Sequence, residues 1–256
     1  MRVLPRLAAL GLLALAAPLA PAQDLSVLAD VNTSATPLHG INVYHQPAHH
    51  GGLAYTAAWT AAAGVELWVS DGTAVGTAML LDLNPGANGS HPQDFYSDGT
   101  WLYFSASVAG LGRELYRTDG TAAGTMLVAD VNPGPADSNP KKLTPLNGQI
   151  LFAATREDVG TELFVTDGTP AGTQLVADTT PPFIASQLNH IAAVPTGGLA
   201  VFRTYTSATG YELFVTDGTA AGTGLLKDVF PGTSSGVHGN FVTFGSLLLF
   251  EGEDPV

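Results

Sequence analysis

Glu66-Leu67-Trp68-Val69-Ser70-Asp71-Gly72-Thr73 is the first of four copies of one pattern. The others are Glu114-Leu115-Tyr116-Arg117-Thr118-Asp119-Gly120-Thr121, Glu162-Leu163-Phe164-Val165-Thr166-Asp167-Gly168-Thr169 and Glu212-Leu213-Phe214-Val215-Thr216-Asp217-Gly218-Thr219. Each copy continues through two residues into Gly-Thr, ending at Thr77, Thr125, Thr173 and Thr223. The starts lie 48, 48 and 50 residues apart. A constant period of this size marks a repeat architecture, in which one supersecondary unit stacks on the next.

Four short apolar runs fall in each period. In the second unit they are Gln93–Ser97, Trp101–Ser105, Arg113–Arg117 and Met126–Val131; in the third, Lys142–Leu146, Gln149–Ala153, Glu162–Thr166 and Gln174–Ala177. Runs rich in Val, Leu and aromatics, punctuated by Gly, Asp, Asn and Pro, predict strands. No stretch after the first residues sustains a helical period, so the chain reads as all-β. Asp98-Gly99 and Asn147-Gly148 predict tight hairpins between the first and second runs. The longest link, such as Asn132 to Pro140, follows the fourth run. That order suits a β-propeller of four-stranded antiparallel blades, whose outermost strand must cross to the innermost strand of the next blade. Separate β-sandwiches need roughly 100 residues each, twice this period. A parallel β-helix repeats faster and with fewer hairpins.

The four octapeptides resemble the ELWxxDGT repeat of exported bacterial proteins. Leu81-Asp82-Leu83-Asn84-Pro85-Gly86 and Val128-Ala129-Asp130-Val131-Asn132-Pro133-Gly134 are similar to that repeat's continuation. The resemblance spans nearly all of the chain after residue 22. It departs at the Trp, which only Trp68 keeps; Tyr116, Phe164 and Phe214 replace it with other aromatics. It implies a secreted, propeller-like module and brings no catalytic residues.

Strand counting predicts about five blades with the last incomplete. Ser26–Val31, running into Asn32, matches a fourth strand (compare Asp130-Val131-Asn132), while Phe241–Phe244 and Leu247–Glu251 match a first and a second. The next Glu-Leu-aromatic strand is missing before Val256, which predicts either a gap in the last blade or a truncated chain. The amino-terminal residues read as a signal peptide over 1–22: Arg2 and Arg6, an Ala/Leu run to Leu19, then Ala20-Pro21-Ala22 before the cut at Gln23. Residues 23–256 then form one repeat domain. Losing Arg2 and Arg6 lowers Lys/Arg from 9 to 7 against 22 Asp/Glu, a formal charge of −15. Such a surface excludes nucleic acid and anionic membrane as partners. There are no cysteines, hence no disulfide or thiol chemistry.

Four patterns carry possible chemistry. Gly232-Thr233-Ser234-Ser235-Gly236 fits Gly-x-Ser-x-Gly, but that motif works on a strand-to-helix turn and no helix is predicted. His45, His49 and His50 have metal-ligand character without a nearby Cys or carboxylate, and read as a loop. Asp82/Asn84 and Asp130/Asn132 carry the oxygen spacing of calcium loops with Pro and Gly where further ligands belong. Glu66, Glu114, Glu162 and Glu212 recur in every copy, and a recurring residue serves structure, whereas an active site is unique; the expectation is a bond from each Glu to its nearby turn. Asp71, Asp119, Asp167 and Asp217 read as turn formers. No catalytic residue and no metal ligand is assigned; no cofactor is expected, with calcium as the one candidate. The expected function is an exported, non-enzymatic binding or structural module whose partner is an extracellular protein or glycan. The alternatives are an extracellular hydrolase or lyase with its site in the central channel, or a fragment of a larger surface protein.

Overall fold

The structure, a computed structural model, describes residues 47–179, 188, 190–195 and 197–253. Four sheets of four antiparallel strands follow one another along the chain. The first holds β1 (Ala48–His50), β2 (Leu53–Thr60), β3 (Gly64–Ser70) and β4 (Ala78–Leu81); the second β5 (Gln93–Ser97), β6 (Leu102–Val108), β7 (Gly112–Thr118) and β8 (Met126–Ala129). The third holds β9 (Lys141–Leu146), β10 (Gln149–Arg156), β11 (Gly160–Thr166) and β12 (Gln174–Ala177). The fourth holds β13 (His190–Ala193), β14 (Ala200–Thr206), β15 (Gly210–Thr216) and β16 (Gly224–Lys227). A hairpin of β17 (Val237–Phe244) and β18 (Leu247–Gly252) comes last.

Within each complete sheet the strands pair in sequence order, and the first strands pack side by side: β1 on β5, β5 on β9, β9 on β13, β13 on β17. The first strand is therefore innermost and the sheets radiate from it as the blades of a β-propeller. Among the described residues β17 and β18 pair only with each other, so the sheets do not close into a ring. The strand expected at Ser26–Val31 lies outside the described residues.

Asn147 (φ 52°) and Gly148 (φ 77°) are both left-handed, as a two-residue hairpin turn demands. The Asp98-Gly99 turn differs: only Gly99 is left-handed (φ 91°), and Asp98 Oδ1 accepts from the amides of Thr100 and Trp101, both at 2.7 Å. Trp101 thus belongs to the turn, and the strand begins at Leu102. The fourth strand ends at Ala129, two residues before the apolar run does, because Val131 is bound elsewhere.

The core lies between blades. Leu102, Tyr103 and Phe104 are all buried at successive positions, because both faces of a blade meet a neighbour. Tyr55, Leu67, Phe104 and Tyr116 join the first two blades, Tyr103, Leu115, Phe152 and Phe164 the next two, and Leu151, Leu163, Phe202 and Phe214 the third and fourth. The motif aromatic packs on its cross-strand partner: Tyr116 stacks on Phe104 (5.9 Å) and Phe164 on Phe152 (5.8 Å), while Phe214 lies tilted against Phe202 (5.7 Å). Burying each such ring contributes about 1.5–3 kcal/mol. Trp68 faces Thr56 instead and stays half-exposed, since no described blade covers that face of the first sheet.

Candidate functional site

The four motif glutamates are fully buried, and their carboxylates hold the link to the next blade. Glu66 accepts from the Asn84 amide (3.1 Å) and the Ser90 hydroxyl (2.5 Å). Glu114 accepts from the amides of Val131 (2.9 Å) and Ser138 (3.1 Å) and from the Ser138 hydroxyl (2.5 Å). Glu162 takes the Thr179 amide (3.2 Å) and hydroxyl (2.8 Å), and Glu212 the amides of Val229 (2.9 Å), Phe230 (3.3 Å) and Gly236 (2.8 Å). The partners therefore lie in the crossover 17 to 24 residues downstream and not in the adjacent turn as expected. Burial pushes the Glu114 carboxyl up to about 7, against the three donors that pull it down, and raises Glu66 in the same way.

The crossover is also tied on both sides through its backbone. The Ser138 amide donates to Arg113 O (3.0 Å) and its carbonyl accepts from Thr155 of the next blade (2.7 Å); Ser90 does the same between Val65 (3.0 Å) and Ser107 (2.7 Å). Two residues before each Glu stands a glycine, and the passing crossover explains it. A β-carbon on Gly64, Gly112 or Gly210 would lie 2.5 to 2.7 Å from backbone atoms of that link, at a φ near +70°.

Asp71, Asp119, Asp167 and Asp217 close the turn after the motif strand. Asp119 Oδ1 accepts from the amide (2.9 Å) and hydroxyl (2.7 Å) of Thr121, whose Oγ1 then accepts from the Gly124 amide (2.9 Å). The Thr125 hydroxyl donates to Thr121 O (2.7 Å). The same bonds recur in the other three turns. The threonine bonds hold all four carboxyls below their ordinary value. Three of the turns also touch the preceding blade: Gly120 lies beside the Tyr55 hydroxyl, Gly168 beside Tyr103 and Arg117, and Gly218 beside Leu146.

The remaining candidates separate. His45 lies outside the described residues; His49 is exposed, and His50 is buried with its Nδ1 at 2.9 Å from Ser97 Oγ. Ser235 Oγ accepts from the Tyr211 amide (3.0 Å), and the Gly232–Gly236 segment is part of a crossover. Asn84 Oδ1 and Asn132 Oδ1 accept from Ala109 and Glu157 of the next blade, both at 3.0 Å. Asp82, Asp130 and Asp228 each keep one buried Oδ1 without a partner. Calcium takes six to eight oxygens, and in these loops the asparagine oxygens are already engaged with the next blade. Among the described residues no three His, Cys, Asp or Glu side chains gather as a metal would need.

Set against this repeated framework, one position on the innermost strands of the second, third and fourth blades and of the last hairpin is polar but different in each. It falls 28 residues after each motif Glu and holds Asp94, Lys142, His190 and Asn240. Asp94, Lys142 and Asn240 are exposed; His190 is half-buried. Asp94 (φ 56°) and Lys142 (φ 60°) are left-handed where the inner strands slip register against β6 and β10. Bulges of this kind re-aim side chains, and left-handed backbone at a residue other than glycine is strained. His190 pairs across the sheet with Arg203, bonds Asn240 and lies edge-on to Phe241 at 6.1 Å. Burial, together with the charges of Arg203 and Lys142, lowers the His190 imidazole. Sequence reasoning missed these residues; the signal was available in the repeat frame itself, as a column that stays polar without repeating.

A hollow of about 340 Å³ opens between the first hairpins of the second and third blades, bordered by Tyr96, Asp98, Thr100, Asn147 and Gln149. Beside it Arg117 lies over the Trp101 ring at 4.0 Å.

No protein-family model matches the chain, and no curated protein matches it. Among solved structures it is similar to acylaminoacyl peptidase from Pyrococcus horikoshii (13% identity, TM-score 0.47, 72% of this chain and 27% of that one). It is also similar to a puromycin hydrolase mutant complexed with PGG (20%, TM-score 0.47, 70% and 28%) and to a putative TolB from Agrobacterium tumefaciens (16%, TM-score 0.40, 72% and 64%). The chain thus spans little more than a quarter of the two hydrolases. At these TM-scores the fold rests on the strand pairing described above.

Proposed function

We propose that this chain is an exported, non-enzymatic β-propeller of the ELWxxDGT type that binds an extracellular glycan or protein through its innermost strands. One observation carries the proposal: Asp94, Lys142, His190 and Asn240 occupy one repeat position, stay polar, and differ from blade to blade. A structural contact recurs unchanged, as the glutamates and Asp-Gly-Thr turns do. A ligand without the blade symmetry needs a different group from each blade. The Ala20-Pro21-Ala22 site and the acidic mature chain support export and argue against nucleic acid as a partner. No cofactor is required.

The test is a screen of the labelled chain against soluble polysaccharides and bacterial surface extracts, run beside the triple variant Asp94→Ala, Lys142→Gly, Asn240→Ala. A retained ligand that the triple variant loses, with unchanged melting temperature and no turnover, is the expected result. Hydrolysis or elimination of a substrate that the triple variant abolishes would replace the binding module with a channel enzyme.

A further inference from the structure

Resting on the binding reading above, we infer that the corner where β9, β13, β14 and β17 meet is an oxyanion site, taking a carboxylate or sulfate group of the ligand. The chain is strongly acidic, with 22 Asp/Glu against 9 Lys/Arg, yet here Lys142, His190 and Arg203 come together. Among the described residues none of the three joins the ion pairs seen, Arg156–Asp158 and His238–Glu253.

Arg203 is held rather than paired. Its guanidinium lies 4.7 Å from the Tyr211 ring centroid, and one Nη donates to Val237 O at 3.4 Å. Its Nε is buried without an acceptor, and His190 Nδ1 on the strand beside it is buried without a partner. Leaving a buried donor unmade is costly, more so on a charged group. A guanidinium needed only for packing would recur, but the same place in the other blades holds Ala57, Ser105 and Ala153. The corner therefore offers a planar fork, an imidazole and an exposed ammonium to one small anion. Guanidinium meets carboxylate and sulfate oxygens through two parallel bonds, which favours this class over a neutral hydroxyl.

The experiment is calorimetric titration of the full chain with sodium sulfate and, separately, sodium glucuronate, at ionic strength held constant with chloride. Saturable binding is expected for at least one of them. Arg203→Gln and Lys142→Gly should each weaken it about tenfold or more. Lys227→Ser, which removes an exposed charge from the outer strand β16, should leave it unchanged. Sulfate bound and glucuronate refused assigns the group to a sulfate ester; the reverse assigns it to a carboxylate. No saturable heat, or equal affinity in the parent and Arg203→Gln, overturns the oxyanion site. If the chain nevertheless retains a neutral polysaccharide that the inner-strand triple variant loses, the binding module stands without it. Retention of nothing in either assay removes both.

Discussion

A buried carboxylate with three donors, such as Glu114, does two opposed things. Its bonds to Val131 and Ser138 fasten the crossover, while its burial makes ionisation expensive. With a folded value of about 7 against an ordinary 4.5, its contribution to stability is full below pH 4.5 and is lost as pH rises through 7. The four turn aspartates act the other way: held below 3.8, they favour the fold above that value and withdraw the benefit as pH falls through their folded values. The melting temperature should therefore peak in mildly acidic solution and fall towards both pH 8 and pH 2. In Glu114→Gln the decline between pH 4.5 and 7 should shrink, and an unchanged pH profile would refute the assignment. Glu114→Ala, which strands the Val131 amide and leaves the Ser138 amide and hydroxyl only Arg113 O, should cost about 1–3 kcal/mol in urea unfolding.

At the scale of the element, the motif strand and its exit turn form one device. The Asp119 carboxylate lies over the α-carbon of Gly124, where a methyl group would overlap it, while Thr121 ties the two together. Gly124→Ala should destabilise the parent by about 1–3 kcal/mol and be close to neutral in an Asp119→Ala background. Additive effects in that double-mutant cycle, read by urea unfolding, would show that the carboxylate and the glycine do not share the space. This device was legible in the sequence, because all its partners lie within seven residues and belong to familiar turn chemistry. The glutamate's partners were not. They lie in a separate element, and their only trace is a weak spacing, with Ser90 and Ser138 24 residues after Glu66 and Glu114. Ser186 has that spacing too but lies outside the described residues. Gly236 breaks the pattern, since Glu212 there binds the backbone alone. Strand ends were misjudged for the same reason: Val131 is apolar enough to extend β8, and a bond from the preceding strand draws it into the crossover.

For the whole molecule, period and hairpin signals were enough to predict radiating four-stranded blades, because each blade is set by contacts close in sequence. The inner-strand column was not recognised as a site, because its residues approach one another only when the blades are arrayed around an axis. The resulting account separates two sets of residues. The repeated Glu, Asp, Gly and Thr fasten blade to crossover to blade, and the unrepeated Asp94, Lys142, His190 and Asn240 are the residues we propose for a ligand.

The fastening is tested most directly by amide hydrogen exchange at Val131, compared between the parent chain and Glu114→Ala. The Val131 amide should be protected in the parent although it lies outside regular strands, and should lose protection in the variant while Phe104 and Phe152 in β6 and β10, and Ser138 through its second bond to Arg113 O, keep theirs. Exchange at Val131 as fast in the parent as in an open loop, or unchanged by Glu114→Ala, would contradict a glutamate that holds the blades together.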